Sequence, residues 1–272
     1  MYKLSKEELE SYLDKGMSSR EIEKETKIKY WDILVQIDKY ELNRKNKYYK
    51  PEYNEDFFHK IDTKEKAYIL GFFLADGCLS KDDKFNISIS LSDKEILDFV
   101  VQNLGGKISV NNKTDKKNKI FPHATLKIGN PKIIKDLKML FGGRLKNERH
   151  IPIIKQELES YLIQGFFDGD GCITWGHRKD RYNHIWQKVS FTSQYKLLEG
   201  IQKILIKNDI STSLRPKSKE NCFVIETCTK KEVIKALNLI YTDKNFIVLK
   251  RKYEKSNALR LELGEIGESP KG

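Results

Sequence analysis

Two stretches of this chain carry nearly the same residues in the same order, and both end in the same acid. Ile69-Leu-Gly-Phe-Phe-Leu-Ala-Asp-Gly77 returns as Ile163-Gln-Gly-Phe-Phe-Asp-Gly-Asp-Gly171, and Cys and an aliphatic residue follow each copy. Asp76 and Asp170 each close an apolar helical run, Ala67 to Ala75 and Tyr161 to Gly169, so both carboxylates are expected at helix C-termini. The helix dipole is negative there, and two neighbouring acids repel each other further. A hard divalent cation held between or beside them removes that penalty, and oxygen ligands suit Mg²⁺, with Mn²⁺ as a substitute. A single Asp-Gly can be a plain helix stop followed by a turn. Two in matched contexts point to metal chemistry instead.

The elements that must position these acids are legible from spacing. Gly71/Ala75 and Gly165/Gly169 are small residues at i, i+4, so each motif helix has a flat stripe on which the other can pack closely. After the first motif, Asn86–Leu91, Lys107–Asn111 and Ala124–Ile128 alternate polar and aliphatic residues, as strands with one wet face do. Helical patterns at Ser92–Leu104 and Pro131–Phe141 separate or follow them. The second half repeats the order with strands at Lys188–Thr192, Thr212–Arg215 and Phe223–Thr227 and helices at Tyr195–Lys207 and Lys231–Ile240. The fold class expected is α+β: two pseudo-symmetric halves of antiparallel sheet backed by helices, plus a small N-terminal helical unit. Cys78 and Cys172, repeated after the motifs, read as small core thiols.

These residues resemble the LAGLIDADG homing endonucleases of the single-chain, two-motif type. The resemblance extends over about residues 57–255 and includes Phe58 to Gly71 leading into motif one, Arg149-His-Ile-Pro leading into motif two, and Leu249-Lys-Arg-Lys-Tyr near the end. One motif position departs between the copies, Leu74 against Asp168, but it is not the family's metal-binding acid. The resemblance implies that each half is αββαββα with a saddle-shaped sheet. It also implies a monomer that saddles a long, asymmetric double-stranded DNA target and hydrolyses both strands with divalent metal. Asp76 and Asp170 would then hold the ions, with the backbone carbonyls of Ala75 and Gly169. Lys127 and Lys230, read as matching places before the last helix of each half, are candidates for the basic residue beside each scissile phosphate, or equally for phosphate contacts.

The wet strand faces supply the expected DNA contacts: Ser88, Ser90, Lys107, Ser109 and Asn111 in the first half, and Lys188, Ser190, Thr192, Ser213, Arg215 and Lys217 in the second. Hydroxyl, amide and basic groups pair with base edges and phosphates, and acids look scarce on these faces. Lys113, Lys116, Lys117 and Lys119 in one loop, and Arg178, Lys179 and Arg181 in another, are expected on phosphates.

Charge agrees with that placement. The chain holds 51 Lys+Arg against 39 Asp+Glu, a net +12, yet residues 1–63 carry 13 basic and 14 acidic groups. Residues 64–255 carry the whole excess, +14. No apolar run reaches the length of a membrane span and no signal peptide is recognisable, so an intracellular protein with no membrane partner is expected. Four cysteines without CxxC spacing argue against a structural zinc or a disulfide framework.

Residues 1–42 read as three short helices with a tight turn, resembling a helix-turn-helix whose last helix, about Tyr30 to Tyr40, turns Lys29 and Gln36 toward DNA. Its net charge of −2 suits a small packing bundle equally. Residues 43–56 form either a plain linker or a basic DNA-contacting arm. Residues 57–150 and 151–255 are the two halves, and 256–272 a flexible tail. A non-cleaving DNA-binding regulator and an RNA-binding intron maturase are competing functions for the same scaffold.

Overall fold

The computed structural model describes residues 3–42, 51–114, 118–178, 185–217 and 221–265. Lys116, Lys117, Lys179, Arg181 and most of the basic arm, residues 43–50, lie outside the described residues. The chain divides into two compact units, Met1–Pro51 and Glu52–Gly272.

The first unit is helical: α1 (Lys6–Asp14), α2 (Ser19–Thr26) and α3 (Tyr30–Lys39). Ser5 with Glu8 and Ser18 with Glu21 form reciprocal capping boxes that start α1 and α2. Lys27 closes α2 in the left-handed region and turns the chain into α3. Leu4, Leu9, Leu13, Ile22, Ile28, Ile33 and Ile37 make the unit's own core.

One expectation for α3 fails. Gln36 is buried (5% exposed) beside Ile33 and Ile37, and its Nε2 donates to the Asp32 carbonyl at 3.1 Å. The inward stripe of α3 is rotated toward Gln36, so the outward residues are Trp31, Val35, Asp38 and Lys39, with Lys29 exposed at the N-cap.

The second unit contains the duplication. Its first half runs α4 (Lys64–Asp76), β1 (Cys78–Leu79), β2 (Phe85–Ser90), α5 (Lys94–Leu104), β3 (Ile108–Thr114), β4 (Ile120–Ile128) and α6 (Pro131–Phe141). The second half repeats this as α7 (Glu159–Asp170), β5 (Gly171–His177), β6 (Ile185–Ser193), α8 (Tyr195–Lys207), β7 (Ser213–Pro216), β8 (Phe223–Thr227) and α9 (Lys230–Ile240). Each half thus has the αββαββα order. The two antiparallel four-stranded sheets have matching orders, β1-β2-β4-β3 and β5-β6-β8-β7.

Thr63, Asn130 and Thr229 cap α4, α6 and α9, with Pro131 at the first position of α6. Residues Ala67 to Ala75 of α4 are all buried. That marks a central helix, packed all round, rather than an amphipathic surface helix.

Two boundaries differ from the expected ones. Tyr53 bridges Gly105, and the Asn54 N–H donates to the Leu104 carbonyl at 2.9 Å, so residues 52–56 are fastened to the first half. At the other end a further helix, α10 (Lys250–Glu262), runs into the segment expected to be a flexible tail. Ser256, Leu259 and Leu263 are buried there, and small or apolar residues spaced three or four apart hold the helix down. No helix among the described residues is long and apolar enough to cross a membrane.

Candidate active site

The site is built where α4 and α7 cross. A Cβ on Gly71 would stand 2.0 Å from the Leu162 carbonyl oxygen, and one on Gly165 would stand 2.0 Å from the Tyr68 carbonyl oxygen. Only glycine allows backbones that near. One turn on, a Cβ at Gly169 would come within 2.5 Å of the Ala75 Cβ and 3.1 Å of Asp76 Oδ2. The crossing therefore carries Asp76, the last residue of α4, against the end of α7, where Asp170 is also last.

The electrostatics of that meeting are unfavourable for two acids alone. Surrounding protein, and then the charge of Asp170, push the Asp76 carboxyl up to about 6, against the pull of Lys146, Lys252 and Arg251. Lys146 Nζ donates to the Ala75 carbonyl at 2.6 Å and to Asp170 Oδ2 at 2.9 Å, joining the two helix ends. Lys252, buried at 7% exposure, donates to the carbonyls of Phe167, Asp168 and Gly169 at 2.7, 2.9 and 3.0 Å. Burial lowers the Lys252 ammonium to about 8, with Asp168 opposing that shift. One lysine thus satisfies the free carbonyls at each helix end, the groups a helix C-terminus leaves without partners.

Neither lysine was found from the sequence. Lys146 sits outside any regular element and Lys252 in the first turn of α10, far along the chain from the acids they serve. The one available signal was Leu249-Lys-Arg-Lys-Tyr, which contains Lys252.

The start of α10 is pinned from both halves. Asp168 accepts from the Leu249 N–H at 3.1 Å and from the Tyr68 hydroxyl at 2.8 Å. Glu95 accepts from the Lys250 N–H at 3.3 Å, and Asp93 takes Arg251 at 3.0–3.1 Å. The motif position that differs between the copies thus anchors the strap that delivers Lys252. On the first side, buried Arg149 donates to the Gly77 carbonyl at 2.9 Å and lies over the Phe141 ring.

A cation would find oxygen donors here. Asp76, Asp170 and the carbonyls of Ala75 and Gly169 are close together, and among the described residues no hydrogen bond offsets the repulsion on Asp76. Among the described residues no cluster of three or more His, Cys, Asp or Glu side chains could form a metal cage. Two carboxylates with carbonyls, completed by water or an anionic substrate, make a hard-oxygen set that fits Mg²⁺ and not zinc.

Register places the other candidates. In the first sheet Ser88, Thr125 and Ser109 share one cross-strand row, and Ser90, His123 and Asn111 the next; Lys113 is exposed further out on β3. Lys107 and Lys127 are exposed. In the second sheet Ser190, Glu226 and Ser213 form one row and Thr192, Val224 and Arg215 another. Lys188 pairs with Thr174, Ser190 is buried, and Arg178 and Lys217 are exposed.

Three readings need correction. Cys78 and Cys172 are exposed, not core thiols, because the residue following each motif glycine lies at the beginning of a strand, first in β1 and second in β5, with its side chain on the wet face. Lys127 and Lys230 are not counterparts. Lys127 pairs with Asn86, level with Cys78, and the residue in that place of the second half is Glu226, paired with Ser190, level with Cys172. Lys230 lies four residues beyond, in the first turn of α9. Glu226 also shows that the wet face is not free of acids.

Two matched halves, joined at a helix crossing that ends in paired acids, define a protein with one composite site built from a duplication. The chain belongs to the LAGLIDADG-like domain family, whose model matches residues 63–140 and 157–241. Solved structures with the same fold include I-SmaMI bound to an uncleaved DNA target with calcium, at TM-score 0.52 and 12% identity, covering 75% of this chain and 92% of that one. I-GzeII in complex with a DNA target matches at TM-score 0.51 and 10% identity, over 73% and 90% of the two chains. I-WcaI bound to its recognition sequence matches at 0.50 and 15%, over 73% and 90%. No curated protein matches the chain by sequence.

Proposed function

We propose that the protein is a site-specific homing endonuclease: a monomer that binds a long, asymmetric DNA duplex and hydrolyses a phosphodiester in each strand with the help of Mg²⁺. The observation that carries this reading is the convergence of Asp76, Asp170, Lys146 and Lys252 at one end of the α4–α7 crossing. A structural protein gains nothing from two acids at adjacent negative helix ends. Family membership and the DNA-bound proteins of the same fold support the same reading.

A divalent ion bound by Asp76, Asp170 and the carbonyls of Ala75 and Gly169 would supply Lewis-acid activation of water and charge neutralisation at the leaving oxygen. The chain's own groups do the rest. Lys146 and Lys252 hold the helix ends in place and put two ammonium groups beside the acids, where they offset phosphate charge and order nearby water. Ser88, Ser90, Lys107, Ser109, Asn111 and Lys113 in the first half, with Lys188, Thr192, Ser213, Arg215 and Lys217 in the second, set the duplex in register. Lys127, Lys230 and Arg178 serve as phosphate contacts.

The test is cleavage of a target selected from a randomised duplex library. Asp76→Asn and Asp170→Asn should each abolish double-strand cutting, by at least about a hundredfold, while duplex affinity stays within a few-fold. Cutting at the unaltered rate by both variants in Mg²⁺ would place the chemistry elsewhere. Tight binding by the unaltered protein without a nick in Mg²⁺ or Mn²⁺ would make it a regulator.

A further inference from the structure

Glu226 is out of place on a face that binds a polyanion. In the first half the equivalent position on the row level with Cys78 is Lys127; in the second half a carboxylate stands there, level with Cys172. It is almost covered, at 13% side-chain exposure, whereas Arg215 beside it is 54% exposed. The Arg215 Nε and Nη2 both donate to Glu226 Oε1, at 3.0 and 2.8 Å, and Lys188 Nζ stands 3.4 Å from Oε2. Burial alone would raise the Glu226 carboxyl, but the Arg215 bonds and the nearby positive charges outweigh it and hold the group below its usual value.

This geometry says what Arg215 is for. A phosphate contact works by charge, and a carboxylate bonded to the guanidinium would weaken it. A base contact works by direction, and a carboxylate along the Nε–Nη2 edge fixes the guanidinium plane. The opposite, terminal Nη1–Nη2 edge is left to donate two parallel hydrogen bonds. Guanine presents two adjacent acceptors, O6 and N7, in the major groove, and that pair accepts a guanidinium fork end-on. A thymine or cytosine edge offers no such pair, and adenine puts a donor where guanine has O6.

We infer that Arg215, buttressed by Glu226, reads one guanine in the half of the target beneath the second sheet. Glu226 is a positioning residue, and Lys188 balances its second oxygen. The row holding Glu226 begins at Cys172, two residues past Asp170, and Arg215 stands in the next row toward the Asp170 end, with Val224 and Thr192, so the guanine belongs to the inner part of that half-site. The first half has Lys127 in place of Glu226, so the matching position of the other half-site carries no such demand. The inference rests on the endonuclease reading in one respect: a DNA duplex must lie along this face.

The experiment is a binding selection of the full chain on a randomised duplex library in Ca²⁺, with sequencing of the bound fraction. The unaltered protein should fix one G·C pair in one half-site. Arg215→Lys, which keeps the charge, should relax that position by roughly 5- to 150-fold in relative affinity and leave the other positions unchanged. Glu226→Ala should relax the same position while unselected duplex is bound more tightly, since a negative charge is gone. A misfolded variant would lose affinity at every position. An unchanged base distribution in both variants would overturn the guanine reading and leave the endonuclease intact. If the unaltered protein enriched no duplex at all, the endonuclease reading would fall, and the guanine with it.

Discussion

Asp76 and Asp170 are the residues on which the proposed chemistry depends, and the cost of Asp76 is measurable in the metal-free protein. The folded Asp76 carboxyl is raised from 3.8 to about 6. Its neutral form is therefore favoured by folding: the stabilisation is complete below pH 4 and lost as pH rises through 6. In the presence of a chelator, Asp76→Asn should raise the melting temperature by several degrees at pH 7.5, and the gain should vanish near pH 3.8. Thermal denaturation across that range would show it; a gain independent of pH would mean that repulsion is not what burdens the site. Both acids were legible because duplication put them in the same context twice. The lysines were not. Lys146 and Lys252 reach the acids from segments with no repeated pattern, and Lys127 and Lys230 were matched as lysines near the last helix of each half, although the residue four before α9, as Lys127 is four before α6, is Glu226. Gln36 shows a simpler failure: its position in α3 is set by packing against Ile33 and Ile37, which outweighs its polarity.

At the scale of elements, the crossing of α4 and α7 has the least tolerance. Gly165→Ala would press a methyl group against the Tyr68 carbonyl, a backbone atom that cannot rotate away. Overpacking of this kind costs about 1–3 kcal/mol where side chains can give, and a rigid backbone contact should exceed that range. Urea denaturation should record a loss of about 3 kcal/mol or more, or no soluble protein. A loss below about 1 kcal/mol would show that the helices can separate. The i, i+4 spacing of small residues was enough to read these helices as a close pair. The other three strands of each half were also readable from alternation, but β1, β5 and the continuation of α10 were not. Gly171–His177 lacks clean alternation, and the alternation of charges along α10 hides its three buried positions.

For the whole molecule, the proposed function asks charge to supply attraction to DNA and strand register to supply discrimination. The excess of +14 over residues 64–255 should give duplex affinity a steep dependence on salt, with a log–log slope of roughly −0.9 for each phosphate neutralised. Removing residues 1–51, which carry no part of that excess, should leave the slope within one unit, as fluorescence anisotropy across a salt series would measure. A slope that collapsed on truncation would move the main phosphate contacts to the first unit. Net charge alone could not distinguish these outcomes, because composition records how many charges there are and not which surface carries them.

The two lysines are not symmetric. Lys146 ties the end of α4 to the acid of α7, whereas among the described residues Lys252 bonds only to carbonyls of α7. Two scissile phosphates approaching such a site meet different surroundings, so the strands of the duplex have no reason to break at one rate. A supercoiled plasmid carrying the target should pass through an open circle before it becomes linear, with one strand consistently broken first. Lys146→Met and Lys252→Met should then retard opposite strands, by about tenfold or more each, as end-labelled duplexes would reveal. Equal retardation of both strands by either change would mean that the two lysines act as one group. If the proposed endonuclease works this way, duplication within one chain would give it a time order as well as an asymmetric target: a first cut and a second, set by which lysine each strand meets.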